Sequence, residues 1–262
     1  MKNRIFNILS GVGIKDAACC SFSCVEKKLL ECRAKMRLPK NSKTVIMCAF
    51  PYKVKDKKPQ YISRYAAVPD YHYAAGNYLL KAVEILRKEF PQNKFEYFMD
   101  NSPVPEVFAA ATAGLGVKGD NNLLITKEYG SWVFLGEIVT DIEIECQDRY
   151  SECIHCGACK KMCPEAKEST GCLSEISQKK KELSENEIHS LQKYGIIWGC
   201  DICAECCPLN KGVKIAPLPE FKDGYRDSFT KGEDISGRAY AWRGEKVVNR
   251  NYSLLFEKEE KK

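Results

Sequence analysis

Two cysteine runs carry the clearest chemistry in the chain. The first, "SECIHCGACKKMCPEAKESTGC", sets Cys153, Cys156, Cys159 and Cys163 at C-x2-C-x2-C-x3-C-P and places Cys172 eight positions beyond the proline. The second, "CDICAECCP", holds Cys200, Cys203, Cys206 and Cys207. Thiolates are soft ligands for metal centres. With this spacing the first three cysteines grip one 4Fe-4S cubane and the fourth reaches a second cluster. Cys163 therefore needs a partner site, and the downstream run supplies it.

Read as C-x2-C-x3-C-P, that downstream run offers Cys200, Cys203 and Cys207, with Pro208 following Cys207 as Pro164 follows Cys163. Cross-ligation of the bacterial ferredoxin kind then assigns one cluster to Cys153, Cys156, Cys159 and Cys207. The other falls to Cys163, Cys172, Cys200 and Cys203, and Cys206 is spare. A regular ferredoxin parse would instead group Cys200, Cys203 and Cys206 and send Cys207 elsewhere. Zinc is the competing metal, since paired C-x2-C knuckles also bind it; two runs each closed by C-P fit paired cubanes better. Cys19, Cys20, Cys24, Cys32, Cys48 and Cys146 lack ligand spacing and read as small hydrophobes or neutral thiols.

The first half offers weaker signals. Asp100 ends "FEYFMD" just before "NSPVPE", which leaves it as a cap for the next helix or as a carboxylate at the rim of a strand. Arg64 in "ISRYA" and Asp70, Tyr71 and His72 in "VPDYH" form a polar, aromatic patch on an expected loop; a lone histidine beside tyrosine is ordinarily a surface residue. "GLGVKG", with Gly114, Gly116 and Gly119, satisfies G-x-G-x-x-G. The dinucleotide fingerprint needs a strand before it and a helix after it. Here "VPEVFAAATA" reads as helix and "NLLIT" as strand, the inverse order, so the glycines mark a helix end and a backbone that approaches something closely.

Apolar runs bounded by turn formers predict strands at Thr44 to Tyr52, Phe95 to Asp100, Asn122 to Thr126 and Trp132 to Asp141. Leu79, Val83, Leu86 and Phe90 share one face of a helix in "GNYLLKAVEILRKEF". The expected fold is an α/β (α+β) domain over 1–145, a ferredoxin-like double-cluster module over 146–215, and a polar, loop-rich C-terminal tail over 216–262. At 262 residues, 44% hydrophobic and 29% charged, the chain has the composition of a globular protein and excludes disorder or a fibre. A net charge of +6 permits an anionic partner, but no Lys/Arg run is dense enough to demand one. The first residues read as neither signal peptide nor membrane span, so a reduced, cytoplasmic setting is expected, which disfavours a disulfide framework for the fifteen cysteines. The closing "EKEEKK" is expected to fray.

Taken together, "ISRYA" with "DYH", "MDNSPVPE", "AGLGVKGDNNLLI", "GSWVFLGEIVTD", the eight-cysteine pattern with "CLS", and "GCDICAECCPLN" resemble the epoxyqueuosine reductase family over most of residues 40 to 215. A weaker match, "ISGRAYAWRGEKVVNRN", resembles the start of the helical repeats of longer members. The resemblance implies a cobalamin-binding domain joined to two 4Fe-4S clusters, an external low-potential electron donor, and tRNA carrying epoxyqueuosine as substrate, with no membrane partner and a monomeric state. It implies cofactor contacts from Arg64, Asp70, Tyr71, His72, Gly114, Gly116, Gly119 and Asn121, and a proton donor in Asp100. Partial burial is then expected to raise the Asp100 pKa toward the range useful for an acid. Two departures stand out: Val107 replaces the arginine of the family's P-x-x-E-R, and Asp120 replaces the lysine of its G-K-N. Other readings are reduction of another small molecule, such as dehalogenation, and a non-enzymatic electron carrier.

Overall fold

The computed structural model describes residues 1–168 and 171–257. The fraying expected of "EKEEKK" falls from 258 onward, outside the described residues. The chain divides into two compact units, each discontinuous in sequence. Unit 1 takes Met1–Pro51, Tyr71–His155 and Gly212–Lys214; unit 2 takes Tyr52–Asp70, Cys156–Lys211 and the chain from Ile215.

Unit 1 is built on an antiparallel sheet of β1 (Asp16–Ser21), β2 (Thr44–Pro51), β3 (Phe95–Phe98) and β6 (Val133–Thr140) in the order β1-β2-β6-β3. A two-stranded ribbon of β4 (Val117–Lys118) and β5 (Leu124–Ile125) accompanies it. β2 is buried at all eight positions, as its continuous apolar run "TVIMCAFP" requires of a strand paired on both edges and covered on both faces. Its helices include α1 (Lys2–Gly11), α2 (Tyr71–Ala74), α3 (Gly76–Glu89) and α4 (Glu106–Thr112). Leu79, Val83 and Leu86 of α3 are fully buried. Leu79 lies so close to Gly136 of β6 that a Cβ there would stand 2.7 Å from its Cδ1. On another face Ala109, Ala110 and Ala111 of α4 pack with Val45, Met47, Phe98 and Val139. β1 was not foreseen: "DAACCS" has little of the β-branched or aromatic character that marks strands, and pairing with β2 makes it one.

Unit 2 contains α5 (Ala158–Met162), α6 (Leu173–Ser177), α7 (Glu185–Tyr194), α8 (Ile202–Glu205) and α9 (Glu245–Phe256). α7 starts at a capping box, in which Ser184 and Glu187 satisfy each other's backbone N-H groups, and stops at left-handed Gly195. The C-terminal segment, expected to be loop-rich with a likeness to the start of helical repeats, supplies α9, and Val247 and Val248 join Trp198, Tyr240 and Phe229 in the unit's core. Asn251 of α9 is fully buried and donates to the carbonyls of Ser177 (2.7 Å) and Ile197 (2.8 Å). The tail thus braces both α6 and the strand-like stretch leading to Cys200. No helix among the described residues is long and apolar enough to cross a membrane.

Candidate active site and cysteine centres

At the end of β3 the chain turns through two consecutive left-handed residues, Asp100 (φ 56°) and Asn101 (φ 43°). Asp and Asn tolerate this conformation better than other side-chain-bearing residues, and such turns recur where a side chain must be aimed. The Asp100 carboxylate accepts from the Tyr71 hydroxyl (2.9 Å) and from the Asn101 backbone N-H (2.8 Å). His72 Nε2 lies 3.4 Å from the same oxygen that Tyr71 engages. Tyr71 is itself stacked between His72 and Phe134 of β6, each ring centroid 4.2 Å away. α2 and β6 therefore hold the two donors in place, and the Asp100 side chain remains 56% exposed.

This geometry corrects the expected acidity. The hydrogen bond from His72, helped by Asn101 and Tyr71, outweighs burial and holds the Asp100 carboxyl down to about 2. Exposure and three donors favour the charged form, the reverse of the burial effect expected from sequence. Nor is Asp100 a cap: α4 begins after Pro105, with no side-chain cap bond.

Two further carboxyls stand beneath this turn and were missed in the sequence. Glu137 is fully buried in β6, where its paired neighbours are Met47 of β2 and Phe98 of β3. Ser102 donates its hydroxyl to Glu137 Oε1. Glu106 opens α4, and its carboxyl takes the Asp100 backbone N-H. Burial, then the nearby Asp100 charge, pushes Glu106 up to about 7; burial and Glu106 push Glu137 well above the usual carboxylate range. The available signal was a single acidic residue inside the apolar run "WVFLGEIVTD".

A helix precedes the glycine motif and a strand follows it, with β4 inside the motif itself. Gly114 is left-handed (φ 80°), and a Cβ on it would meet nothing within 4 Å. At Gly116 a Cβ would come within 2.5 Å of the Ile125 carbonyl oxygen, so this glycine serves the close pairing of the ribbon. At Gly119 the crowding comes from the side chain of Asn121, which caps the turn by accepting from the Leu123 N-H. The ribbon also steadies the first cysteine run, as Lys118 pairs through its backbone with Ser151 and Cys153. Asp120 Oδ1 accepts from His155 Nδ1 (2.8 Å), and Asp120, Cys153 and His155 place ligand atoms within 4.8 Å of one another.

In unit 2, Arg64 is buried and committed. Its Nε donates to Glu205 (2.6 Å), its terminal nitrogens to the carbonyls of Lys55 and Asp56, and its backbone N-H to Asp201. It clamps both ends of α8, the helix bearing Cys203. Asp70 donates its backbone N-H to Gly237. Arg64 and Asp70 lie on the loop that precedes α2, and Tyr71 and His72 open that helix, at the boundary of unit 1.

Cys159 lies on α5, which packs against α8. Cys163, Cys172 and Cys207 share one backbone conformation, with φ, ψ of −63°, 127°, of −67°, 122° and of −69°, 124°. Cys206 is helical instead, at −82°, −8°. The proline after Cys163 and Cys207 disfavours the helical region for both and ends the helical backbone before each. Burial, with smaller contributions from the charges of Asp201, Cys172 and Cys163, raises the Cys200 thiol to about 11, which places these three sulfurs in one neighbourhood. Cys206 has Cys159, Cys207 and Cys156 as its neighbours in the same sense. Outside the runs, Cys146 Sγ lies 2.8 Å from Cys19 Sγ, a pair that no spacing announces across 127 positions.

Residues 33–101 match the family model described as epoxyqueuosine reductase QueG, DUF1730. The epoxyqueuosine reductase of Lactococcus garvieae is 32% identical over 259 residues, covering 86% of this chain and 72% of that protein. The Escherichia coli epoxyqueuosine reductase is 32% identical over 208 residues, and there the match spans 76% of this chain but only 54% of the relative. The mixed α/β fold matches the structure of epoxyqueuosine reductase from Streptococcus thermophilus with a TM-score of 0.79 at 24% identity, over 97% of this chain and 80% of that one.

Proposed function

The chain belongs to the epoxyqueuosine reductase family, and we propose that it reduces epoxyqueuosine to queuosine in tRNA. The reading is carried by Asp100, a half-exposed carboxylate aimed by a left-handed turn and held by Tyr71 and His72. A related epoxyqueuosine reductase has been crystallised with an epoxyqueuosine-modified tRNA stem loop. The net reaction consumes two electrons and two protons, breaks the epoxide C-O bonds and releases water as the alkene forms. Delivery of a proton to the departing oxygen makes the leaving group neutral, which is general acid catalysis. Substrate covering Asp100 would exclude the water that now favours its charge, raising its proton affinity as the reaction needs.

Two 4Fe-4S clusters are proposed on the ligand sets assigned by spacing: Cys153, Cys156, Cys159 and Cys207, and Cys163, Cys172, Cys200 and Cys203. An all-thiolate donor set suits them. The common conformation of Cys163, Cys172 and Cys207 supports choosing Cys207 over Cys206. Cobalamin is proposed at unit 1, where the His72–Tyr71–Phe134 stack supplies aromatic surface and Gly114 borders open space, features that suit a broad, flat ligand edged with amides. When bound, it would supply the low-potential electron chemistry that no side chain provides. His72, occupied with Asp100, stays in the proton network. Arg64 is engaged in the framework of unit 2, so its part is to position the second cysteine run.

The test is single-turnover reduction of epoxyqueuosine-containing tRNA by anaerobically reconstituted protein loaded with cobalamin, read by mass analysis of nucleosides. Queuosine should form. Cobalamin binding with no conversion of this tRNA would redirect the reading to another substrate, and absence of any cobalamin spectral change would favour an electron carrier.

A further inference from the structure

Glu106 and Glu137 take no part in the chemistry described so far, yet their placement is costly. Glu137 shares a sheet face with Val139, which packs against the alanines of α4, and it has no exposed surface. Glu106 Oε1 and Glu137 Oε2 are both buried with no donor in reach, although the two carboxyls lie within hydrogen-bonding distance of each other. Two carboxylates can only accept hydrogen bonds. Protonation resolves the conflict, because it turns an acceptor into a donor and removes the repulsion between like charges.

The groups facing this pair are few. Asp100, His72 and Ser102 come from the turn and from α2, and Met47 of β2 is the residue paired with Glu137 on the same face of the sheet, while Cys48 feels the Glu137 charge from the opposite face. Asp100, by contrast, is held ionised by its donors and must acquire a proton before it can deliver one. Glu106 is the carboxyl that both grips the backbone of Asp100 and touches the buried Glu137.

We propose that Glu106 and Glu137 form a buried pair in which each carboxyl carries a proton, and that Glu106 is the store from which Asp100 draws the proton it delivers. In the transfer the Glu106 O-H bond breaks and an Asp100 O-H bond forms; no electrons move, and Glu106 is afterwards refilled from solvent. Glu137 keeps its proton throughout, since burial holds it neutral. This role for Glu106 rests on Asp100 being the proton donor of the reductase.

Infrared spectroscopy of the full chain with 13C-labelled glutamate, titrated from about pH 5 to about pH 9, examines the pair without substrate or cofactor. One protonated-carboxyl band should titrate near the value to which burial lifts Glu106, about 7, and vanish in Glu106→Gln. A second should persist across the range and vanish in Glu137→Gln. In single-turnover reduction the wild-type rate should fall about tenfold per pH unit above that midpoint, because the protonated form is the one that supplies the proton. Glu106→Gln should lose this dependence and run on the order of 100-fold slower below the midpoint. Absence of a titrating glutamate band in the wild type, or a wild-type pH profile in Glu106→Gln, overturns the proposal. Should Asp100→Asn react as fast as wild type while the titrating band is present, the pair holds its proton but the store role is overturned, along with the reading of Asp100.

Discussion

The two units differ in how they treat the polar groups that frame their functional residues. Unit 2 engages those around its cysteines: Arg64 spends its donors on Glu205 and two carbonyls, and Asn251 bridges Ser177 and Ile197. Unit 1 leaves two buried carboxyl oxygens without donors below a turn of left-handed residues. A ligand frame gains from rigidity, because thiolates must be held in register for a cluster they do not individually control. A proton-transfer site gains from groups whose charge is easily changed, and an apolar sheet face is where a carboxyl's charge is least secure.

The sharpest test of that contrast is Asp100→Asn, which keeps size and hydrogen bonding but removes the transferable proton. Single-turnover rates should fall about 100- to 10,000-fold, with iron content and cobalamin occupancy unchanged. Equal rates would make the turn a structural feature and erase the difference between the units.

Arg64→Ala should act through stability. It strips Glu205 and two carbonyls of the donor that buried Arg64 supplies, at a cost of about 3 kcal/mol in denaturant unfolding. Iron should be lost readily while the Asp100 region keeps its near-ultraviolet signature.

The carboxyl pair makes a stability prediction of opposite sign to ordinary paired acids. Glu106 is raised from its usual 4.5 to about 7, so the folded state binds the proton more tightly than the unfolded chain. Its contribution is fully present below about 4.5 and is lost as pH rises through about 7, on the order of 3 kcal/mol. Glu106→Gln should flatten this slope in urea titrations across that window; an unchanged slope would mean the pair is not protonated in the folded protein.

Asn251→Ala should cost about 2 kcal/mol, because two buried carbonyls lose their donor. Cys206→Ser should have the smallest effect, leaving iron near about eight per chain, whereas Cys207→Ser should remove about one cluster. The reverse result would assign the ligand role to the helical cysteine and contradict its departure from the conformation shared by Cys163, Cys172 and Cys207.

Much of the architecture was legible in local pattern. The apolar runs at β2, β3 and β6 and the face of α3 carry their own periodicity, and the Cys-Pro dipeptides carry their own backbone restriction. β1 was not, because "DAACCS" acquires its structure from what it packs against, and α9 was signalled only by the likeness of "ISGRAYAWRGEKVVNRN" to the start of a helical repeat. The glycine motif was read correctly as a helix end and a close approach, yet only the ribbon shows that Gly116 approaches its own Ile125.

By itself, then, the sequence determined the cysteine spacing, the family likeness and the placement of an aspartate at the end of a strand, all of which are set by covalent order and short-range sterics. Tertiary structure alone decided the charge states. Asp100 is held low because a helix brings Tyr71 and His72 to it from about 30 positions away, and Glu106 and Glu137 are lifted because a strand and a helix bury them together. Proton affinity depends on solvent exclusion and on neighbouring donors and charges, and both are properties of the folded chain.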